Sequence, residues 1–340
     1  MLKINNRRYI GSKTKLLQNI KEAADKTIGG DRLYSFADLF GGTGVVAYEF
    51  ARNGHPTIVN DTLMSNVIAY QAWMANDSVR ENVISEYLSL FNNLKYNEIP
   101  ANYFSEIYGG KYFSNNDAKK IGYIRDYLEE HRQELNYREF CILLTSLLYT
   151  ADKIANTVGH FEHYLSKVPQ DSNFVLQEIE LQPTAQTQIF NKDANELAKQ
   201  IEADVVYLDP PYNARQYVNF YHVLENLARW EKPTEFEGDS MKFKRNHLKS
   251  GYSRSIAPKL LEDLVKSLNC RVIIVSYNNT YNARSGASNN KIQEEEIVLI
   301  LSKIGEVERV DIDYKAFNSG KTDLKNHKEY LFICKKNKTL

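Results

Sequence analysis

Hydrophobic and polar positions follow two different rhythms along this chain. In residues 33–44, "LYSFADLFGGTG", a short apolar run ends in an acid and a glycine turn, which predicts a strand. "GVVAYEFARNG" (44–54) has apolar positions at helical spacing and stops at a glycine, so a helix is expected there. "PTIVND" (56–61) predicts a second strand, again ending on an acid. Strand, turn, helix and strand are the opening unit of a doubly wound α/β sheet. From about residue 64 to 183 the rhythm changes. Tyr, Asn, Glu and Leu recur at helical periods with no strand–helix alternation. "REFCILLTSLLYTADKIAN" (138–156) is the clearest helix, and residues 103–124 predict a polar, aromatic loop leading into another. The α/β rhythm resumes with a strand, turn and helix in "AQTQIFNKDANELAKQI" (185–201), then strands in "ADVVYLDPPY" (203–212) and "NCRVIIVSYNN" (269–279). "EVERVDIDYKAF" (306–317) and "EYLFICKK" (329–336) predict two closing antiparallel strands with a polar loop over 318–328. The expected fold class is therefore α/β. One sheet is built from residues 1–65 and 184–340, and a mostly helical insert spans 66–183.

Composition narrows the picture. The 340 residues suit one large domain or two ordinary ones, and 43 basic against 43 acidic residues give a formal net charge of zero. A neutral chain is no indiscriminate polycation, but a local basic face still suffices for phosphates. The three cysteines, Cys141, Cys270 and Cys334, are far apart and form no CxxC pair, so no zinc site and no disulfide framework is expected. That usage predicts a reducing, cytoplasmic setting. No stretch reaches about 18 apolar residues, and the N-terminus lacks an apolar signal core, so no membrane span is expected. His160, Glu162 and His163 have near-metal spacing, yet no third ligand pattern accompanies them, and no metal is predicted.

Two turns carry chemistry. Gly42-x-Gly44-x-x-Ala47 lets backbone approach a ligand and opens a helix whose N–H groups attract negative charge. Asp61, at the end of the next strand, is placed to hold the two hydroxyls of a ribose. This pattern fits a dinucleotide and S-adenosylmethionine equally. Asp38, just before the turn, favours the second, because it repels a pyrophosphate and attracts an ammonium group. The other turn is "DPPY". Asp209 emerges at the carboxyl end of a buried strand, where open α/β sheets bind ligands. Pro210 and Pro211 have fixed φ and no N–H, so the turn is preorganised with its carbonyls free to accept. An Asp oxygen beside a proline carbonyl suits a planar –NH₂ group, and Tyr212 supplies a ring for stacking on a heterocycle. Acceptors that draw the amine hydrogens out of plane favour a tetrahedral nitrogen and free its lone pair for in-line attack on a methyl sulfonium carbon. A base in duplex DNA must first leave the stack to reach such a pocket.

With "RYIGSK" (8–13), "FADLFGGTG", "VND", "IFNKDA" (189–194) and "DPPY" in this order, the chain resembles the alpha-group N6-adenine DNA methyltransferases. These include the DNA adenine methylases and many restriction–modification enzymes. The resemblance covers roughly the first 65 and last 155 residues. It implies a Rossmann-like S-adenosylmethionine-dependent methyltransferase sheet, with the insert as target-recognition domain. It implies that Tyr9 and Lys13 contact the cofactor, that Phe40, Gly42 and Gly44 form its floor, that Asp61 holds its ribose, and that Asp193 sits near its adenine. Asp209, Pro210 and Tyr212 hold the target amine, with Asp209 also close to the methionine end. An N-terminal motif that often begins with Trp begins here with Tyr9, so an aromatic is retained. Double-stranded DNA is the implied partner, with a cognate restriction endonuclease, and the implied state is a monomer or weak dimer. Cytosine N4, RNA adenine and a silent DNA-binding role are the alternatives; an intact Asp209, Gly42 and Asp61 speak against the last.

Two further segments are candidates for nucleic acid. "MKFKRNHLKSGYSRS" (241–255) carries Lys242, Lys244, Arg245, Lys249 and Arg254 with no acid, as a phosphate-gripping loop does, although a solvated surface loop reads equally well. The Tyr-rich stretch 103–123 reads either as base contacts or as core, and Tyr277 either as a wall of the base pocket or as core.

Overall fold

The computed structural model describes residues 1–30, 32–281, 286–313 and 328–337. It divides into two compact units. A sheet unit comprises Lys13–Thr62, Thr184–Tyr217 and Leu248–Leu340, and a helical unit comprises Met1–Ser12, Leu63–Pro183 and Val218–His247. The expected loop over 318–328 falls, up to residue 327, outside the described residues.

In the sheet unit, α1 (Leu17–Ile28) precedes β1 (Phe36–Asp38), α2 (Val45–Arg52) and β2 (Thr57–Asn60). In the helical unit follow α3 (Met64–Met74), α4 (Glu81–Asn93), α5 (Tyr103–Tyr108), α6 (Asn115–Glu130) and α7 (Tyr137–Ile154). The sheet continues with β3 (Thr187–Phe190), α8 (Ala194–Ala198) and β4 (Val205–Leu208). Next come α9 (Tyr217–Arg229) and a small hairpin, β5 (Phe236–Glu237) with β6 (Lys242–Phe243), in the helical unit. The sheet unit closes with α10 (Ala257–Ser267), β7 (Val272–Asn278), α11 (Glu294–Ser302), β8 (Gly305–Asp313) and β9 (Lys328–Lys336).

The strands order as β3-β2-β1-β4-β7-β9-β8. β3, β2, β1, β4 and β7 run parallel, while β9 lies antiparallel between β7 and β8. A dinucleotide-binding sheet keeps its strands parallel in the order 3-2-1-4-5-6. Here the last strand is inserted antiparallel before the edge. This is the Rossmann-like methyltransferase sheet expected from the sequence. Its chain order reverses between β1 and β4, and a crevice at such a switch point is where ligands bind. The central strands are apolar runs because both faces are covered: Val205, Val206, Tyr207 and Leu208 are all buried, as are Ile273, Ile274 and Val275.

In the helical unit α7 starts with a capping box, in which Asn136 accepts from the Glu139 N–H and Glu139 accepts from the Asn136 N–H. Its side chains are buried from Glu139 to Asp152, as befits a central helix. The stretch read as a polar, aromatic loop instead forms α5, capped by Asn102, and leads through a turn into α6. Its rings are core. Phe104, Tyr108 and Tyr112 are wholly buried, and the Tyr108 hydroxyl accepts from Asn226 Nδ2 at 2.8 Å. Of the two readings of that stretch, the geometry matches packing, because each buried hydroxyl has a partner.

Candidate active site

At the carboxyl edge of the sheet unit, β1 delivers Asp38, which is buried at 1 % exposure. The chain then turns through Gly42 (φ 53°) and Gly44 (φ 80°), conformations costly to any residue with a Cβ. The Gly42 N–H donates to Asp61 Oδ2 at 2.9 Å, so the acid that ends β2 is tied to the glycine turn. Asn60 laces the neighbouring loops: its Nδ2 donates to the carbonyls of Leu39 and Lys192, and its Oδ1 accepts from the Lys192 N–H. Sequence reasoning did not single out Asn60. The exposed Asp193 caps α8, with Oδ1 accepting from the N–H groups of Asn195 and Glu196. Phe40 meets the ring of Tyr252 edge-on at 5.1 Å.

β4 brings Asp209 to the same edge. Lys13 Nζ lies 2.9 Å from Asp209 Oδ2, and the Tyr212 hydroxyl donates to Asp209 Oδ1 at 2.6 Å. The sequence reading gave the Tyr212 ring to a stacked base. Here the ring tilts against Tyr277 (centroids 4.5 Å apart) with the Lys13 ammonium 5.0 Å from its centre, and its hydroxyl reaches the carboxylate. The "DPPY" turn is held from outside. The Tyr212 carbonyl accepts from the Tyr277 hydroxyl at 3.0 Å and from the Lys291 N–H at 2.7 Å. Tyr277, wholly buried, thus props the turn from within the core.

A further residue at this edge went unseen in the sequence. Glu329, on β9, is 5 % exposed, and its Oε2 lies 3.4 Å from the Tyr212 hydroxyl, which is also 3.3 Å from Ser276 Oγ. Burial first, then the charge of Asp209, pushes the Glu329 carboxyl up to about 7 against the pull of Lys13. Asp38 is likewise pushed well above the usual carboxylate range, first by burial, then by Asp209 and Asp61. The one available signal was an acid opening an otherwise apolar strand, "KEYLFIC", which strand pairing alone makes meaningful.

The remaining predicted residues lie elsewhere. Tyr9 belongs to the helical unit, where its ring stacks on Tyr221 at 4.7 Å and 4°. The basic stretch is not one loop. Lys242 sits in β6, and Lys244 pairs with Glu235. Arg245 is buried, with its guanidinium donating to Asn219 Oδ1 (2.7 Å), Glu237 Oε2 (3.0 Å) and the Phe243 carbonyl (2.9 Å). The acids absent from the window come from the opposite strand. Lys249 and Arg254 fall in the sheet unit, Arg254 exposed. No group of three or more His, Cys, Asp or Glu is placed to hold a metal among the described residues.

The edge thus assembles Asp38, Asp209 and Glu329 near Lys13, with Asp61 beside Asp38 on the glycine turn and Asp209 in the Asp-Pro-Pro-Tyr turn. The chain matches the family model of the D12 class of N6 adenine-specific DNA methyltransferases over residues 9–283, and it belongs to that family. It is 35% identical to the modification methylase StsI of Streptococcus sanguinis across 98% of this chain and 53% of that protein. It is 31% identical to the type II methyltransferase M.NlaIII of Neisseria lactamica across 96% of this chain and 99% of that one. The match to the type II methyltransferase M.FokI of Planomicrobium okeanokoites is 30% identical, covering 97% of this chain and 52% of that protein. The chain therefore spans about half the length of StsI and M.FokI and nearly the whole of M.NlaIII.

Proposed function

We propose that this chain transfers a methyl group from S-adenosylmethionine to N6 of an adenine flipped out of a specific duplex DNA sequence, as the modification enzyme of a restriction–modification system. The single observation that carries the cofactor reading is the charge of the sheet edge. Asp38, Asp209 and Glu329 gather near Lys13 with Asp61 beside Asp38, and burial with repulsion from neighbouring carboxylates drives Asp38 and Glu329 toward the protonated form. A ligand bearing cationic groups relieves that repulsion, whereas a pyrophosphate increases it. The donor set therefore fits S-adenosylmethionine, which when bound supplies an electrophilic methyl group.

The proposed roles are those that the sequence and its resemblance imply, and some contacts support them. Asp38 holds the ammonium end, Gly42, Gly44 and Phe40 line the floor, Asp61 holds the ribose from its position on the glycine turn, and Asp193 stands by the adenine. Lys13 keeps Asp209 oriented from one oxygen. Asp209 and the Pro210 carbonyl accept from the target amine, so that its lone pair points at the methyl group. For Tyr9, whose ring stacks on Tyr221 within the helical unit, a cofactor contact is proposed from the resemblance alone. Lys242, Lys249 and Arg254 are the basic residues proposed for phosphate, while the contacts of Lys244 and Arg245 favour a role within the hairpin. Residues 66–183 are proposed as the target-recognition domain. A partner endonuclease, a monomeric or weakly dimeric state and a cytoplasmic setting complete the proposal; among the described residues no helix is long and apolar enough to cross a membrane.

Single-molecule sequencing of DNA from cells expressing this chain, beside an Asp209→Ala control, tests the reading. N6-methyladenine at one recurring motif, absent in the control, is expected. Unmodified DNA in both overturns it.

A further inference from the structure

We propose that Glu329 is the terminal acceptor of the proton that the target amine loses, reached from Asp209 through the Tyr212 hydroxyl. This rests on the amine-methylation reading above. The transfer requires it chemically: the sulfur–methyl bond breaks with its electron pair going to sulfur, the N6 lone pair forms the new nitrogen–methyl bond, and one N6 proton must leave. Asp209 takes that proton at the oxygen facing the amine. Once that proton is on Oδ1, the Tyr212 hydroxyl turns its hydrogen from Asp209 to Glu329, accepts the proton from Asp209 Oδ1 and passes its own to Glu329, which ends the step as a neutral acid. Charge is conserved, and no further reactant is needed.

The geometry supplies the route. One hydroxyl stands 2.6 Å from Asp209 Oδ1 and 3.4 Å from Glu329 Oε2, with Ser276 Oγ at 3.3 Å to steady it. The turn that carries this hydroxyl is clamped by Tyr277 and by the Lys291 N–H. Glu329 itself is fixed by strand register, opposite Asn278 on β7 and Ile312 on β8, with a face of β9 turned to the site. The neighbouring Lys328 and Tyr330 pair with Asp313 and Asp311, so those β8 acids lie on the other face. Among the described residues, the charged and titratable groups around Glu329 include Lys13 before α1, Tyr207 on β4, Asp209 just after it, Tyr212 in the turn and Tyr217 at the start of α9. Asp38 and Asp61 join the same cluster from β1 and β2.

A proton store must be empty before the step and full after it. A carboxyl pushed up to about 7 meets both conditions near neutral pH. It also predicts the pH response. Below about pH 7 the acceptor is already protonated, so transfer slows.

Single-turnover methylation is measured with radiolabelled S-adenosylmethionine and unmethylated duplex DNA of mixed sequence, from pH 5.5 to 9, for wild type, Glu329→Gln and Tyr212→Phe. Cofactor binding is measured alongside to verify the fold. Both variants should lose about 10–100-fold in rate at pH 8, and Glu329→Gln should lose the inflection seen near neutrality in wild type. In cofactor-free protein, an infrared band of a protonated carboxyl should titrate in wild type and be missing in Glu329→Gln. Should Glu329→Gln fail to fold, Glu329→Asp serves instead and should keep a displaced inflection. A slower Glu329→Gln that retains the wild-type inflection marks a structural residue and overturns the proposal. So does a Tyr212→Phe as fast as wild type. A wild type inactive at every pH defeats the methyltransferase reading itself, whereas active variants beside an active wild type defeat only the relay.

Discussion

Buried acids are handled in opposite ways in the two units. In the helical unit Glu139 is fully buried, yet Arg80 holds it through Nε and NH2, and the N–H groups of Arg80 and Asn136 donate as well. Glu225 accepts from the N–H groups of Met64 and Ser65 and from Arg229. At the sheet edge, by contrast, Asp38, Asp209 and Glu329 crowd around Lys13, and burial together with the charge of Asp209 raises the proton affinity of Asp38 and of Glu329. A satisfied buried carboxylate is a brace. A cluster short of positive charge stores an affinity for a cationic ligand and for protons.

Four tests break or sharpen this contrast, from the largest effect down. Asp209→Ala should cut single-turnover methylation by about 10³-fold or more with the fold intact; an active variant would remove Asp209 from the chemistry. Asp38→Asn should weaken S-adenosylmethionine binding about 10–100-fold by calorimetry. Because Asp38 must ionise to hold the cation and its carboxyl is pushed up, wild-type affinity should also fall as pH drops, and the variant should lose that dependence. Unchanged binding would deny the edge its cationic ligand.

In the helical unit, Glu139→Gln should cost about 2 kcal/mol of stability in urea melts, with no change in cofactor affinity. The Arg80 contacts hold the Glu139 carboxyl down at about 2, below its unfolded value near ~4.3, so this stabilisation is present at neutral pH and lost as pH falls toward 2. Glu329 should behave in reverse. Its folded value of about 7 lies above the unfolded one, so the group stabilises at low pH and its contribution vanishes as pH rises through 7. Glu329→Gln should therefore melt higher than wild type at pH 8, with the gap narrowing as pH falls and closing only below the unfolded value of ~4.3. A Glu329→Gln that melts lower at pH 8 would make Glu329 a brace like Glu139.

Much of this was legible in the chain because it is local. Strand–turn–helix periodicity, the glycine spacing and "DPPY" are contiguous, and backbone sterics and strand burial act over a few residues. The return of the α/β rhythm after residue 183 announced a sheet made of two segments, and the two closing strands proved antiparallel neighbours. What needed the tertiary structure was whatever depends on partners distant in sequence. Arg245 looked like a phosphate ligand until the hairpin brought Glu237 across to it. The tyrosines of α5 and its following turn became core only when Asn226 and the neighbouring rings closed around them. Glu329 lies 117 positions from Tyr212, and an acid at the head of a strand carries no meaning until β9 inserts beside β7 and turns it toward the Asp-Pro-Pro-Tyr turn. Local sterics specify turns and elements, whereas burial and charge compensation are sums over neighbours, and folding alone chooses the neighbours.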